Sequence, residues 1–184
     1  MSVSPSERLH ALILIAVMSA ALCVLSPWSV PVGPVPVSLA TLAIYLTVYL
    51  LGWRKGSLSV LIYLLIGLVG LPVFSGFTAG PGRLLGPTGG YLAGYLFLAL
   101  ISGLVIQRFR ASRFLCVLGL VLGTVSLYVL GTAWLARLMR ISLAEAVSAG
   151  VFPFLPGDIL KIVLASILGP LLYQRLKTAG LLKD

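Results

Sequence analysis

Acidic side chains are scarce in this sequence of 184 residues, in which four aspartates and glutamates stand against 13 lysines and arginines. The four carboxylates are Glu7, Glu145, Asp158 and Asp184. Acid–base catalysis usually needs a pair of carboxylates or a histidine beside one. The sequence has no such pair, no catalytic-triad pattern and a single histidine, His10. We therefore expect a protein that is not an enzyme.

Metal-ligating and nucleotide-binding patterns are missing as well. Cys23 and Cys116 each stand alone in an apolar stretch, without a C-x-x-C pair or a cluster of cysteine and histidine. Such thiols are expected to be buried and inert, and no metal site is expected. The sequence also lacks a phosphate-binding loop. We expect no cofactor, and the chain is not expected to use ATP by itself.

Charge is low throughout, at 9% of residues, whereas 60% are hydrophobic and the mean hydropathy is +1.14. A soluble domain carries about a quarter charged residues, so the chain is predicted to be an integral membrane protein. The net charge of +9 arises from short basic clusters between apolar runs. This distribution is typical of a membrane-orientation signal. We expect a lipid environment and no nucleic-acid partner.

The apolar runs predict an all-α protein with six transmembrane helices in a single domain, residues 1–184. A spanning helix needs roughly 20 mainly apolar residues. The predicted helices cover residues 9–26, 37–51, 57–71, 88–107, 114–136 and 157–176. The first run resembles a signal peptide, but the rest of the chain is equally apolar, so we expect a retained helix.

The basic residues predict the topology. One side of the predicted membrane has nine of them: Arg8, Arg54, Lys55, Arg108, Arg110, Arg113, Arg175, Lys177 and Lys183. The other side has three: Arg83, Arg137 and Arg140. Cytoplasmic loops carry the excess of lysine and arginine. Both termini are therefore expected in the cytoplasm.

The three outer connections are long and rich in glycine and proline, at residues 27–36, 72–87 and 137–156. Within the last, residues 141–149 have the pattern of a short amphipathic helix at the interface. Long ordered loops in a compact protein are commonly functional. Because all three loops converge on one face, we expect a ligand pocket that opens outward.

Asp158 and Lys161 are the first candidate for a functional site. Their i, i+3 spacing puts them on the same face of a helix, and ionisable groups at membrane depth usually face a protein interior or cavity. The alternative is structural, with Asp158 as an N-cap and Lys161 extended to the interface. A cation near a helix N-terminus opposes the helix dipole, which favours a ligand or a buried partner.

Three further sets have both a structural and a functional interpretation. The glycine-rich segment 86–94 provides either close helix packing, along the ridge of Gly86, Gly90 and Gly94, or bare backbone for a ligand, with hydroxyls from Thr88 and Tyr91. Arg83 is either an interfacial anchor or a clamp for an anionic ligand. The strip formed by Ala16 and Ala20 suits packing within the chain or docking of a partner membrane protein.

Four segments together resemble the BioY family, the biotin-specific S components of energy-coupling-factor (ECF) transporters. They are VPVSL at 35–39, LVGLPVF at 68–74, GPTGGY at 86–91 and FLPGDILK at 154–161. The resemblance covers nearly the whole chain. It implies six helices in the S-component fold, an outward-facing biotin pocket and a prokaryotic cytoplasmic membrane. It also implies a transmembrane T component and two ATPase subunits as partners, with Ala16 and Ala20 similar to the docking strip of S components.

Biotin offers a ureido group, an apolar fused ring and chain, and a carboxylate. The expected binding residues are Asp158, Lys161, Tyr91, Thr88, Gly89, Gly90, Arg83, Thr78, Phe74 and Tyr45, with Phe77 as a further aromatic wall. In this interpretation Asp158 accepts from ureido N–H groups or orients Lys161, and Lys161 donates to an anionic or carbonyl oxygen. Sequence leaves open which end of biotin meets which charge.

The chain departs from the family pattern at two positions. Ala40 stands where glutamine is common, and Leu92 where some members have arginine after the tyrosine of the glycine-rich motif. We therefore hypothesise that Arg83 supplies the contact to a ligand carboxylate. The alternatives are an S component for a different vitamin, a stand-alone small-solute carrier or channel, and a membrane assembly factor without a ligand.

Overall fold

A computed structural model describes residues 5–32 and 34–182, so Lys183 from the basic set above lies outside the described residues. The helices, in chain order, are α1 (Pro5–Leu25), α2 (Ala40–Val69), α3 (Pro81–Leu85), α4 (Gly89–Arg108), α5 (Arg113–Met139), α6 (Leu143–Gly150) and α7 (Leu155–Thr178). Two short strands, β1 (Ser29–Val30) and β2 (Val37–Ser38), lie between α1 and α2.

Five of these helices, α1, α2, α4, α5 and α7, are long and apolar enough to cross a membrane. This confirms the all-α membrane class. The predicted helices 37–51 and 57–71 both fall within α2, which is 30 residues long. Among the described residues there are therefore five helices of spanning length, and the predicted six are not confirmed.

The middle of α2 is a tight turn. Gly52 has φ 71° and ψ −172°, a conformation that glycine adopts readily and other residues avoid. A Cβ placed on Gly56 would lie 3.3 Å from the Cα of Val48. Eight residues along a straight helix would separate these positions by about 12 Å. The two limbs of α2 therefore fold back on each other at Gly52.

Small residues let the long helices approach closely around α4, which packs most extensively against α5 and α2. A Cβ on Gly103 would lie 2.6 Å from the Cα of Trp53 in α2, and one on Gly94 would lie 3.2 Å from the Cα of Leu127 in α5. In lipid, such close backbone packing replaces the hydrophobic effect as the main force between helices. The result is a core in which α4 holds α2 and α5 together, while α7 packs against α2 and α5.

Helix α1 joins this core through paired hydroxyls. The hydroxyls of Ser19 and Ser59 lie 3.2 and 3.3 Å from the carbonyls of Ser59 and Ile15 across the helix contact. Each hydroxyl is shared with the carbonyl four residues earlier in its own helix, at 2.8 and 3.1 Å. Hydrogen bonds of this kind between helices add to packing in a membrane. They fix α1 against the second limb of α2.

The described residues of the three long connections include short elements of secondary structure. Strands β1 and β2 pair antiparallel, and a bridge joins Phe74 to Thr78 before α3. The predicted amphipathic helix at 141–149 is confirmed as α6. Its capping box links Ser142 and Glu145, and hydrogen bonds from Ser142 lower the pKa of the Glu145 carboxyl. These segments lie at the end of the helices where α7 starts.

Candidate ligand-binding site

Helix α7 brings Asp158 into the protein one turn after the helix begins. The N-cap is Phe154, and Pro156 lies in the first turn, where its missing N–H does no harm. The prediction that α7 starts at residue 157 is therefore two residues late. The alternative interpretation of Asp158 as an N-cap is wrong, because its carboxylate bonds to other helices.

Asp158 is the centre of a buried polar network. Its Oδ1 accepts from Lys161 Nζ at 2.9 Å and from the hydroxyl of Thr41 at 3.1 Å. Its Oδ2 accepts from the hydroxyl of Tyr128 at 2.6 Å. Lys161 also donates to Thr41 Oγ1 at 3.1 Å. The network thus ties α7 to α2 and α5.

Both charges are inside the protein, with Asp158 5% and Lys161 7% exposed. Lys161 therefore does not extend to the interface, and that alternative is also wrong. A buried ion pair is tolerable only when its remaining lone pairs and protons are satisfied. A carboxylate has about four acceptor positions and an ammonium three donors. Three acceptor positions of Asp158 and two donors of Lys161 are used, which leaves one of each.

Two small cavities lie side by side near this pair. The first, of about 20 Å³, is lined by Arg83, Phe74, Thr78, Thr88 and Leu92, among others. The second, of about 30 Å³, is lined by Asp158, Lys161, Thr41, Tyr128 and Phe154, among others. Both cavities share the four residues Val35, Pro36, Tyr91 and Tyr95. The shared walls place Arg83 and the Asp158–Lys161 pair at the two ends of one region.

The glycine-rich segment holds the first cavity in place. Thr88 donates to the carbonyl of Arg83 at 3.1 Å, and Trp134 Nε1 donates to the carbonyl of Gly86 at 2.9 Å. These bonds attach α3 and the following turn to α4 and α5. The side chain of Arg83 is half-buried at this cavity.

Gly89 and Gly90 of the motif face protein. A Cβ on Gly89 would collide with the carbonyl of Leu84, and one on Gly90 would collide with Trp134 and lie 2.8 Å from the carbonyl of Leu130. Their observed contacts are therefore those of close helix packing. A role for Gly89 and Gly90 in binding a ligand stays a prediction.

Tyr91 lines both cavities with its ring. Its hydroxyl donates to the carbonyl of Gly150 at 2.8 Å, so α6 fixes the ring orientation. The ring of Phe154 lies 6.3 Å away, centroid to centroid. Tyr91 thus offers an aromatic wall, while its hydroxyl is already engaged.

Other predicted residues lie around this region. Tyr45 is fully buried, its hydroxyl lies 2.6 Å from that of Thr124, and it is not among the residues that line either cavity. Phe77 is 58% exposed and packs edge-on against Trp28. The structure therefore groups Arg83, Thr78, Phe74, Thr88 and Tyr91 with Asp158 and Lys161, and leaves Tyr45 and Phe77 outside the group.

Sequence reasoning missed several lining residues. Tyr95 follows Tyr91 by four positions and so shares its helix face, which is a usable signal. Ser38 and Thr41 likewise lie at helical spacing before Tyr45. Tyr128 gave no signal, because an isolated tyrosine in an apolar helix has no distinguishing neighbour.

The two departures from the family pattern are both buried. Ala40 is fully buried at the start of α2, and Leu92 is 6% exposed and lines the same cavity as Arg83.

Helix α1 presents Ala16 and Ala20 on its exposed surface. Among the described residues, no group of three or more histidines, cysteines, aspartates and glutamates could hold a metal ion.

Comparison with known proteins gives concordant matches. A model of the BioY family matches residues 1–178. Biotin transporter BioY2 of Lactococcus lactis subsp. cremoris is 35% identical, over 93% of this chain and 94% of the relative. Biotin transporter BioY of Thermotoga maritima is 38% identical, over 80% and 87%.

A solved structure agrees with these relatives. It is a crystal structure of the S-component for biotin from an ECF-type ABC transporter, with a TM-score of 0.87 and 28% identity. The match covers 94% of this chain and 95% of that one. The fold and the sequence therefore give one answer, and the chain belongs to the BioY family.

Proposed function

We propose that this chain is the biotin-binding S component of an ECF-type vitamin uptake transporter. It captures extracellular biotin and delivers it with ATP-driven partner subunits. The observation that carries the proposal is the buried Asp158–Lys161 pair, which lies beside a cavity and keeps one acceptor and one donor position unused. The names and the fold of its relatives support the same ligand.

The ureido group of biotin fits the end of the region that holds the ion pair. A ureido group has N–H donors and a carbonyl acceptor side by side. Asp158 has an acceptor position left for an N–H, and Lys161 has a donor left for the carbonyl. Because both side chains are held by Thr41 and Tyr128, this end is pre-organised and loses little entropy on binding.

The carboxylate of biotin fits the other end, at Arg83. A guanidinium binds a carboxylate through paired, charge-assisted hydrogen bonds. Leu92 lines the cavity of Arg83 and has no charge to offer. The apolar chain of biotin would lie between the two ends, against the rings of Tyr91 and Tyr95, which both cavities share.

Ligand entry requires the first outer loop to move. Cavities of about 20 and 30 Å³ are far smaller than the roughly 300 Å³ or more of a typical ligand pocket. Val35 and Pro36 project between them from the connection that precedes β2. We infer that residues 34–36 withdraw to join the two cavities into one outward-facing pocket.

The six-span topology is part of the proposal. The fold-back at Gly52 supports two separate crossings by the limbs of α2, in addition to α1, α4, α5 and α7. An even number of crossings puts both termini on one side, and the basic excess assigns that side to the cytoplasm. The whole chain, 1–184, then forms one transmembrane domain in a prokaryotic cytoplasmic membrane.

The partners proposed are a transmembrane T component and ATPase subunits. Ala16 and Ala20 support docking, because they leave a smooth exposed strip on α1 where another helix can approach closely. ATP is then used by the partners alone, and this chain carries no cofactor and catalyses no reaction. The absence of a phosphate-binding loop in the sequence agrees with this division.

A vitamin-binding panel on the purified protein tests the proposal. Biotin, thiamine, riboflavin and folate are each titrated, and saturable binding of biotin alone is expected. Preferential binding of another vitamin would identify that vitamin as the ligand and leave the assignment as an S component unchanged. Passive flux of biotin into vesicles that hold only this chain would instead establish a stand-alone carrier.

A further inference from the structure

A third and much larger cavity lies at the opposite end of the helices from Asp158. Its volume is about 720 Å³. It is open to one side and is lined by the first turns of α1, the fold-back of α2, the end of α4 and the last part of α7. Nothing in the vitamin-binding proposal uses this cavity.

The wall of the cavity is strongly basic. Four cations line it, namely Arg8, Arg54, Lys55 and Arg110, against the single carboxylate of Glu7. The formal charge of these five side chains is +4 − 1 = +3. The other described carboxylates, Glu145 and Asp158, are engaged elsewhere. A concave basic surface of this kind attracts an anion.

Arg110 is already oriented for such a ligand. Its guanidinium lies 3.7 Å from the ring centroid of Tyr173 and donates to the carbonyl of Tyr49 at 3.3 Å. A guanidinium has five N–H donors, so this bond leaves others for an oxyanion. A planar, stacked guanidinium is well suited to the oxygens of a phosphate group.

The surroundings indicate that the anion is attached to an apolar tail. His10, Ala11 and Leu14 of α1 line the cavity, and His10 Nε2 donates to the carbonyl of Leu181 at 2.6 Å. The other side of the same turns exposes Leu9, Leu12 and Ile13 by 51–61%. A phosphate in the cavity would therefore lie beside apolar surface suited to acyl chains.

We propose that this cavity binds the phosphate headgroup of an anionic phospholipid. Basic pockets between transmembrane helices on the cytoplasmic side bind such headgroups. The lipid would brace the start of α1 against the fold-back of α2, which share the cavity. Free phosphate has the same recognition chemistry, and the test must separate the two sources.

Thermal unfolding of the full chain in neutral detergent provides the test. Cardiolipin or phosphatidylglycerol is added, with phosphatidylcholine and inorganic phosphate in parallel. Anionic lipid is expected to raise the Tm by on the order of 5 °C, with little effect from the other two. The double variant Arg54→Gln/Lys55→Gln removes two exposed lining charges and is expected to abolish the shift.

A matched control separates the site from general charge. Arg108→Gln/Arg113→Gln removes the same charge from exposed positions near that end that do not line the cavity. This control is expected to keep the full shift. Equal loss in both double variants, or an equal response to phosphatidylcholine, would overturn the proposal. A full rise in Tm with inorganic phosphate alone would assign the site to a soluble phosphate compound and overturn the proposal of a lipid ligand.

Discussion

The ammonium of Lys161 lies 2.9 Å from the carboxylate of Asp158, one helical turn away in α7, and both side chains are more than nine-tenths buried. The hydroxyl of Thr41 completes a triangle with them, since it donates to Asp158 and accepts from Lys161. A closed triangle of this kind holds both charges in place before a ligand arrives. Removal of either charged side chain leaves the other charge buried without its partner.

Removal of one charge is predicted to cost stability even without ligand. Asp158→Asn leaves the Lys161 ammonium buried and unpaired, and an unpaired buried charge costs about 3–5 kcal/mol. The double variant Asp158→Asn/Lys161→Met removes both charges and is expected to recover much of this loss. Thermal unfolding in detergent measures both effects, with Arg137→Gln as an exposed control. A double variant as unstable as the sum of its single changes would contradict the pairing.

Arg83 is predicted to recognise the carboxylate of biotin. Arg83→Gln should weaken biotin binding by at least about tenfold, as expected for loss of a charge-assisted contact of about 1.4 kcal/mol or more. Biotin amide, which lacks the negative charge, should bind the wild-type protein weakly and should lose little further affinity in Arg83→Gln.

The comparison of biotin with its amide separates loss of the charge contact from any change in folding, because a folding defect would weaken both ligands. Arg137→Gln removes an exposed cation from the last turn of α5 and serves as the matched control. An equal loss for biotin and its amide in Arg83→Gln would show that Arg83 acts only on structure.

Gly90 is predicted to be intolerant of a side chain. A Cβ there would meet Trp134 and the carbonyl of Leu130, so Gly90→Ala should force α4 away from α5 at a cost of about 1–3 kcal/mol. Gly82→Ala in α3 is the control, because a Cβ there meets no heavy atom within 4 Å. Unfolding curves that show no difference between the two variants would disprove the packing role.

The exposed strip on α1 is predicted to matter for assembly and not for binding. Ala16→Leu/Ala20→Leu should prevent co-purification with the T component, because the added side chains block close helix approach. Biotin affinity of the isolated chain should stay unchanged. Ala133→Leu, at an exposed position on α5, is the control for bulk alone. Normal co-purification of the double variant would place the partner interface elsewhere.

Local sequence signals predicted much of the fold. Apolar runs bounded by proline and glycine gave all the long helices, and the turn near residues 52–56 was expected. Helix α3 was not predicted, because five residues are too few to show a helical period. The six predicted spans stay a prediction, since the limbs of α2 are each short and meet at a single non-helical residue, Gly52.

The candidate site was predictable only where its residues are neighbours in sequence. Asp158 and Lys161 stood out because charges are rare and their spacing is helical. Thr41 and Tyr128 reach the same carboxylate from helices 117 and 30 residues away in sequence. That convergence depends on the packing of α2 and α5 against α7, which no local pattern encodes.

Calorimetric titration of biotin into the purified wild-type protein and Asp158→Asn tests the central claim most directly. Saturable one-to-one binding by the wild type, weakened at least about tenfold in Asp158→Asn with Arg137→Gln unchanged, is the predicted result. Absence of saturable binding by a folded wild-type protein, or equal affinity in Asp158→Asn, would contradict the account of this site.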